Sequence, residues 1–347
     1  MSIESMFAAA HAAQMRGDFA AAARGYRGLV RSKPFAANHN LGTVLGASGD
    51  LEGAEAAYRA ALVADPKAAT SRHALSMLLL AQGRYAEAWP EWEARRGVAD
   101  LQIPAPDLRT PEWRGEDLAG KRLLVFGEQG LGDKIMLARY FAPLKAAGAE
   151  VVFACPPILH RLMRRLGVEP AGPEATEASV AADLWTLQGT LPVRFATTLE
   201  TLPPPADFGL PLGSGGGVGV VPRGSTVHKN DAERSLGPRH AKRLLALGRD
   251  LRPEASGAED FEATAEIVAG LDLVISVDTS VVHLAASMGK PTWVLLPARD
   301  TDWRWLRGRE DSPWYPSARL FRQRAAGDWD PVLRRIEAAL ANHPPDR

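Results

Sequence analysis

Two stretches of this 347-residue chain place reactive residue types at spacings that a fold could use. The first is GEQGLGD at 127–133, between a short apolar run and a helical pattern. Glycines at the end of a strand permit positive φ and let a ligand approach the backbone. Gly127, Gly130 and Gly132 are placed for that, although their spacing is neither GxGxxG nor a Walker loop. Asp133 stands where the helix begins. There it could take a proton from a hydroxyl across a crevice, or cap the helix by accepting a backbone N–H. The residues leave both uses open.

The second stretch is LVISVDTSVVH at 273–283, a strand ending in Asp278 with Thr279 and Ser280 opening the next helix. Two hydroxyls and the free N–H groups of a first helical turn make a cradle for a diphosphate. His283 falls in the first turns, either facing the same crevice or packed as a structural histidine. Asp278 and His283 do not make three ligands and no cysteine lies near them, so no metal is expected. Between the two stretches, Arg223, His228, Lys229, Asn230, Asp231 and Arg234 form either a solvated loop or a source of cations for phosphates. Beyond them, Asp300, Trp303 and Trp305 share a loop, and the two indoles either pack a domain closure or stack on a base.

These residues need elements to position them. KRLLVF at 121–126 predicts a strand, followed after GEQGLGD by one helix, KIMLARYFAPLKAAG. Strand 150–155, a helix over 157–166 and a short strand at 182–185 continue a βαβ alternation, the signature of a parallel sheet. LPPPADFGLPLGSGGG reads as a linker. A second half starts with strand 218–221, has helices near 237–247, over 260–269 and 280–288, strands 271–277 and 291–296, and a last helix over 330–341. In GRDLRPEAS at 248–256 only a fragment of the expected strand and helix is visible.

The N-terminal third repeats. Gly17, Gly49 and Gly83 are each followed at fixed offsets by a small residue, Ala22, Ala54 and Ala88, and by a large aromatic, Tyr26, Tyr58 and Trp92. This resembles the tetratricopeptide repeat, a helix-turn-helix unit of about 34 residues. The resemblance implies stacked helices whose groove holds a peptide, a protein acceptor for example, or which merely brace the next domain or make a homodimer contact.

Composition narrows the functional classes. Lys and Arg number 41 against 41 Asp and Glu, and zero net charge argues against a nucleic-acid partner. The single cysteine, Cys155, excludes an internal disulfide framework. No apolar run is long enough for a membrane span and the N-terminus does not read as a signal peptide, so a cytoplasmic protein is expected.

GEQGLGD at 127–133, DLVISVDTSVVHLAASMGKPTWVLLP at 272–297 and DWRWLRGREDSPWYPSARLFRQ at 302–323 together resemble bacterial tetratricopeptide-repeat proteins fused to a glycosyltransferase family 9, heptosyltransferase-like domain. The fold implied is α plus α/β: a repeat domain at 1–97, a connector at 98–120, and a GT-B pair of Rossmann-like domains at 121–212 and 213–347, the second one shortened. The resemblance implies an inverting, metal-independent transferase that needs no cofactor and moves a sugar from a nucleotide-sugar to a hydroxyl on a protein or surface glycan. It assigns Asp133 as acceptor base and puts Lys229 and His283 with the catalytic residues. Gly130, Gly132, Asn230, Arg234, Asp278, Thr279, Ser280 and Trp303 would contact the donor. VVPRGSTVHKNDAERS at 220–235 departs from the family's turn before its basic segment, and GRDLRPEAS replaces a strand end that borders the nucleotide. A non-catalytic repeat scaffold with a degenerate transferase domain is the alternative.

Overall fold

The computed structural model describes residues 1–226 and 230–342, and the expected catalytic Lys229 lies outside the described residues. The chain divides into two compact units, Met1–Ile103 and Pro104–Arg347.

The first unit is helical: α1 (Ile3–Met15), α2 (Phe19–Arg27), α3 (Pro34–Ser48), α4 (Leu51–Ala64), α5 (Ala69–Leu80) and α6 (Tyr85–Trp92). Gly17, Gly49 and Gly83 take positive φ between consecutive helices, which a Cβ would disfavour. Asp18 and Asp50 then cap α2 and α4 by accepting the N–H of Ala21 and of Gly53. Ala22, Ala54 and Ala88 are fully buried, and Tyr26, Tyr58 and Trp92 are buried beside them. The phase of small and aromatic positions therefore marks the packed faces of these helices. Gly42 shows how closely α3 and α4 approach: a Cβ there would lie 2.7 Å from the Tyr58 ring.

The second unit holds two sheets. β1 (Arg122–Phe126), β2 (Glu150–Ala154), β3 (Glu169–Ala171) and β4 (Leu184–Leu187) pair in the order β3-β2-β1-β4, all parallel. Its helices are α7 (Leu131–Leu137), α8 (Phe141–Ala146), α9 (His160–Arg164) and α10 (Leu191–Arg194). The single helix expected after GEQGLGD is interrupted by a 3₁₀ turn at Ala138–Tyr140. Pro143 has no N–H to return to Arg139, so the helix cannot run through unbroken.

The second sheet orders its strands β6-β5-β7-β8-β10-β9. They are β5 (Val218–Val221), β6 (Arg249–Asp250), β7 (Leu273–Val277), β8 (Thr292–Leu296), β9 (Asp311–Ser312) and β10 (Tyr315–Arg322), all parallel except the β9–β10 pair. The helices are α11 (Asp231–Arg234), α12 (Pro238–Leu245), α13 (Pro253–Ser256), α14 (Phe261–Ala269), α15 (Ser280–Ser287) and α16 (Asp330–Asn342). β7 is buried at every position, as a strand covered by helices on both faces must be. The shortening expected of the second half is local: β6 has two residues and α13 four, in a sheet that has six strands against four in the first. Sequence reading also missed β10, whose proline and arginines obscure an eight-residue strand. Among the described residues no helix is long and apolar enough to cross a membrane.

Candidate functional site

The carboxyl ends of β1 and β7 each feed a loop and a helix, and those helices, α7 and α15, pack together. In the first loop the positive φ falls on Gln129, at 62°, while Gly130 is ordinary at −76°. The Lys134 ammonium donates to the Gln129 carbonyl at 2.7 Å and holds that backbone in place. Burial of this amine lowers its pKa. The glycines serve space instead of φ. A Cβ on Gly127 would lie 2.8 Å from Lys134 Cε, and one on Gly132 would lie 2.5 Å from His283 Cδ2. Gly132 thus faces a histidine of the other half, not an open donor site.

Asp133 does what a cap does. Its Oδ2 accepts the Gly130 N–H at 3.0 Å, and its Oδ1 is paired with Nη2 of Arg304. Asp133 keeps 24% of its side chain exposed, whereas the arginine is 7% exposed. Burial opposes the charge on Arg304, but the carboxylates of Asp133, Asp302 and Asp278 outweigh it and raise its pKa. Asp302 accepts the Arg304 backbone N–H at 3.1 Å and lies 3.1 Å from its Nε. Burial pushes the Asp302 carboxyl up to about 6 despite the neighbouring guanidinium.

Asp278 accepts the Trp305 indole N–H at 2.9 Å, and burial raises its pKa. His283 is 2% exposed and stacked on Trp305 with ring centroids 5.5 Å apart. Its Nε2 lies 3.3 Å from Nη1 of Arg304 and its Nδ1 2.9 Å from the Tyr315 hydroxyl. A guanidinium only donates, so Nε2 must accept and the ring proton sits on Nδ1, toward Tyr315. Burial, then Arg304, Arg139 and Arg234, hold the imidazole pKa well below its ordinary value. The expectation of a catalytic His283 is corrected accordingly: a neutral, enclosed ring with both nitrogens engaged supports its neighbours and does not face a substrate.

Thr279 precedes α15 with extended backbone and no side-chain cap bond, its hydroxyl 3.1 Å from that of Ser276. Thr279 and Ser280 are half-buried. Arg234 reaches this helix start, donating from Nη1 to the Asp278 carbonyl at 2.9 Å. Its guanidinium passes close to Gly224, where a Cβ would lie 2.5 Å from Nη2. Asn230 is directed elsewhere, donating to the Asp300 carbonyl at 2.8 Å. Trp303 is 5% exposed and packs edge-on against Trp314, so it fills the interior of its loop and does not offer a face to a base.

The structure therefore unites Asp133, Asp278, Thr279, Ser280, His283 and Arg234 around two helix starts. Sequence reasoning missed Arg304, Asp302 and Tyr315. The signal was present in D-W-R-W at 302–305, because a charge between two large apolar residues is buried with them and must find partners.

Residues 237–304 match the model of glycosyltransferase family 9 (heptosyltransferase). The matched span takes in Asp278, Thr279, Ser280 and His283 and ends on Arg304. The chain is 27% identical over 332 residues to Protein FlbA of Caulobacter vibrioides, a match covering 78% of this chain and 55% of that protein. The chain thus spans about half the length of this relative.

Similar solved structures include a Thermobaculum terrenum O-GlcNAc transferase mutant (16% identity, 87% of this chain and 83% of that one, TM-score 0.26). A glycosyl transferase family 9 protein from Veillonella parvula is 11% identical over 67% of this chain and 92% of its own, TM-score 0.40. E. coli heptosyltransferase WaaC with ADP-2-deoxy-2-fluoro heptose is 14% identical over 64% of this chain and 99% of its own, TM-score 0.38. With all three TM-scores under 0.5, the α/β assignment rests on the strand order and register described above.

Proposed function

We propose that the second unit transfers a sugar from a nucleotide-sugar donor to a hydroxyl on a protein or surface glycan, with inversion and without a metal. The observation that carries this reading is the approach of Arg234, three residues before the family-matched span, to the start of α15, which lies within it. A helix N-terminus with half-buried hydroxyls and a guanidinium suits a diphosphate. In the reaction the acceptor oxygen would attack the anomeric carbon as its proton passes to Asp133 and the bond to the diphosphate breaks. The departing nucleoside diphosphate would be stabilised by the α15 dipole and by a cation, Arg234 or Lys229.

The first unit is read as three tetratricopeptide repeats that present a protein acceptor or join two copies of the chain. A second reading, a scaffold with a degenerate transferase domain, is favoured by one observation: β6 is only two residues long. Calorimetric titration with UDP, GDP and CDP, without added metal, separates the two. Tight binding of one diphosphate is expected of the transferase. No binding of any would leave the scaffold.

A further inference from the structure

The proposed base lies on α7, which follows β1 of the first sheet, yet what fixes it comes from the loop after β8 of the second. A chain of contacts runs from β10 through Tyr315, His283 and Arg304 to Asp133. Its buried members sit behind the carboxylate, and the exposed quarter of the Asp133 side chain lies at its end. A carboxylate oxygen carries two lone pairs, so pairing with Arg304 leaves Oδ1 able to accept a hydroxyl proton. Arg304 is itself fixed on three sides. Asp302 holds its backbone N–H and neighbours Nε, His283 accepts from Nη1, and its guanidinium lies 5.7 Å from the Trp303 ring centroid.

The backbone adds to this. Leu306, two residues after Arg304, has φ 50° and ψ −178°, a combination costly for any residue with a Cβ. Arg322 holds it there by donating to the carbonyls of Trp305 and Leu306 at 2.6 and 2.8 Å. Such over-determination holds one side chain in one place.

We propose that Arg304 is a positioning residue for Asp133, with His283 its support, so that the base is assembled only when the two halves of the second unit are closed on each other. The proposal rests on the reading of Asp133 as the base. It gives His283 a task that its enclosure permits: to accept from Arg304, not to exchange protons with a substrate. A base completed only on closure would also limit hydrolysis of the donor by water in the open state.

The test uses the full chain with Arg304→Gln, Arg304→Lys, His283→Phe, His283→Gln and Asp133→Asn. Hydrogen exchange needs no ligand. R304Q and H283F are expected to raise exchange at 130–137 and 280–287 together by about tenfold while β1 stays protected, with R304K and H283Q closer to wild type. Unchanged exchange at both segments in R304Q overturns the proposal, as does exchange rising throughout the second unit in R304K as well as R304Q, which would mark a merely structural residue.

The second readout is turnover with a panel of UDP-, GDP- and CDP-sugars. R304Q is expected to lower kcat by about tenfold to a hundredfold while the donor KM stays within about twofold, with partial rescue in R304K. Wild-type kcat in R304Q overturns the positioning role. Wild-type kcat in D133N removes the base reading instead, and the exchange data then decide the coupling of Arg304 to Asp133 separately. Where no panel donor is turned over by the wild type, the exchange outcome alone decides.

Discussion

A Cβ placed on Gly132 would lie 2.5 Å from Cδ2 of His283, so the first turn of α7 and the interior of α15 approach as closely as a glycine allows. Gly132→Ala is therefore expected to push the two halves of the second unit apart or force the imidazole off its stack. Overpacking of this kind costs about 1–3 kcal/mol. A fall in the unfolding midpoint with increased exchange at 280–287 would bear this out; an unchanged midpoint would show that the interface yields freely.

His283 and Asp302 give opposite pH dependences. The folded protein keeps His283 neutral well below the ordinary 6.5, whereas the unfolded chain binds that proton, so its contribution is lost as pH falls below the unfolded value. Asp302 holds its proton to about 6 when folded but releases it at 3.8 when unfolded, so its contribution declines as pH rises across that window. Melting curves of His283→Gln should therefore differ in slope from wild type below about pH 6.5, and those of Asp302→Asn between about pH 4 and 6. Parallel curves for variant and wild type would refute either assignment.

Arg234 contributes a guanidinium to the start of α15 without being fully enclosed, its side chain being 13% exposed. Charge-assisted hydrogen bonds to a diphosphate are its expected use, so Arg234→Ala should weaken nucleoside diphosphate binding by about tenfold or more. Calorimetry on the diphosphate that the wild type binds checks this, with the melting temperature as control. Equal affinity in variant and wild type would place the diphosphate elsewhere.

In the first unit, Gly42→Ala should clash with Tyr58, since the new Cβ would be 2.7 Å from two ring carbons. The cost is about 1–3 kcal/mol. Exchange should rise in α3 and α4 and remain unchanged in the strands of the second unit. A rise of equal size in both units would show that they unfold together.

Much of this was legible because it is local. Gly17, Gly49 and Gly83 sit between helices because a left-handed turn excludes a Cβ, and Ala22 and Ala54 are buried because close helices exclude anything larger. β1, β2, β5, β7 and β8 were visible as short apolar runs, since a parallel strand is covered on both faces. Asp133, Asp278 and Thr279 could be placed at helix starts because the strand-to-helix boundary is written in neighbouring residues.

What the sequence by itself determined, then, is the set of elements and the residues standing at their ends. The partnerships were decided only by tertiary structure. Asp133 and Arg304 are 171 residues apart, and no local pattern tells a capping carboxylate that its second oxygen will meet a guanidinium from the 3₁₀ turn at Trp303–Trp305. His283 has the same polar atoms whether enclosed or facing a crevice. Its place was settled by Trp305, Tyr315 and Gly132 closing around it, a matter of packing among segments distant in the chain. β10 escaped notice for the same reason: its pairing with β8 outweighs a sequence that contains Pro316 and two arginines.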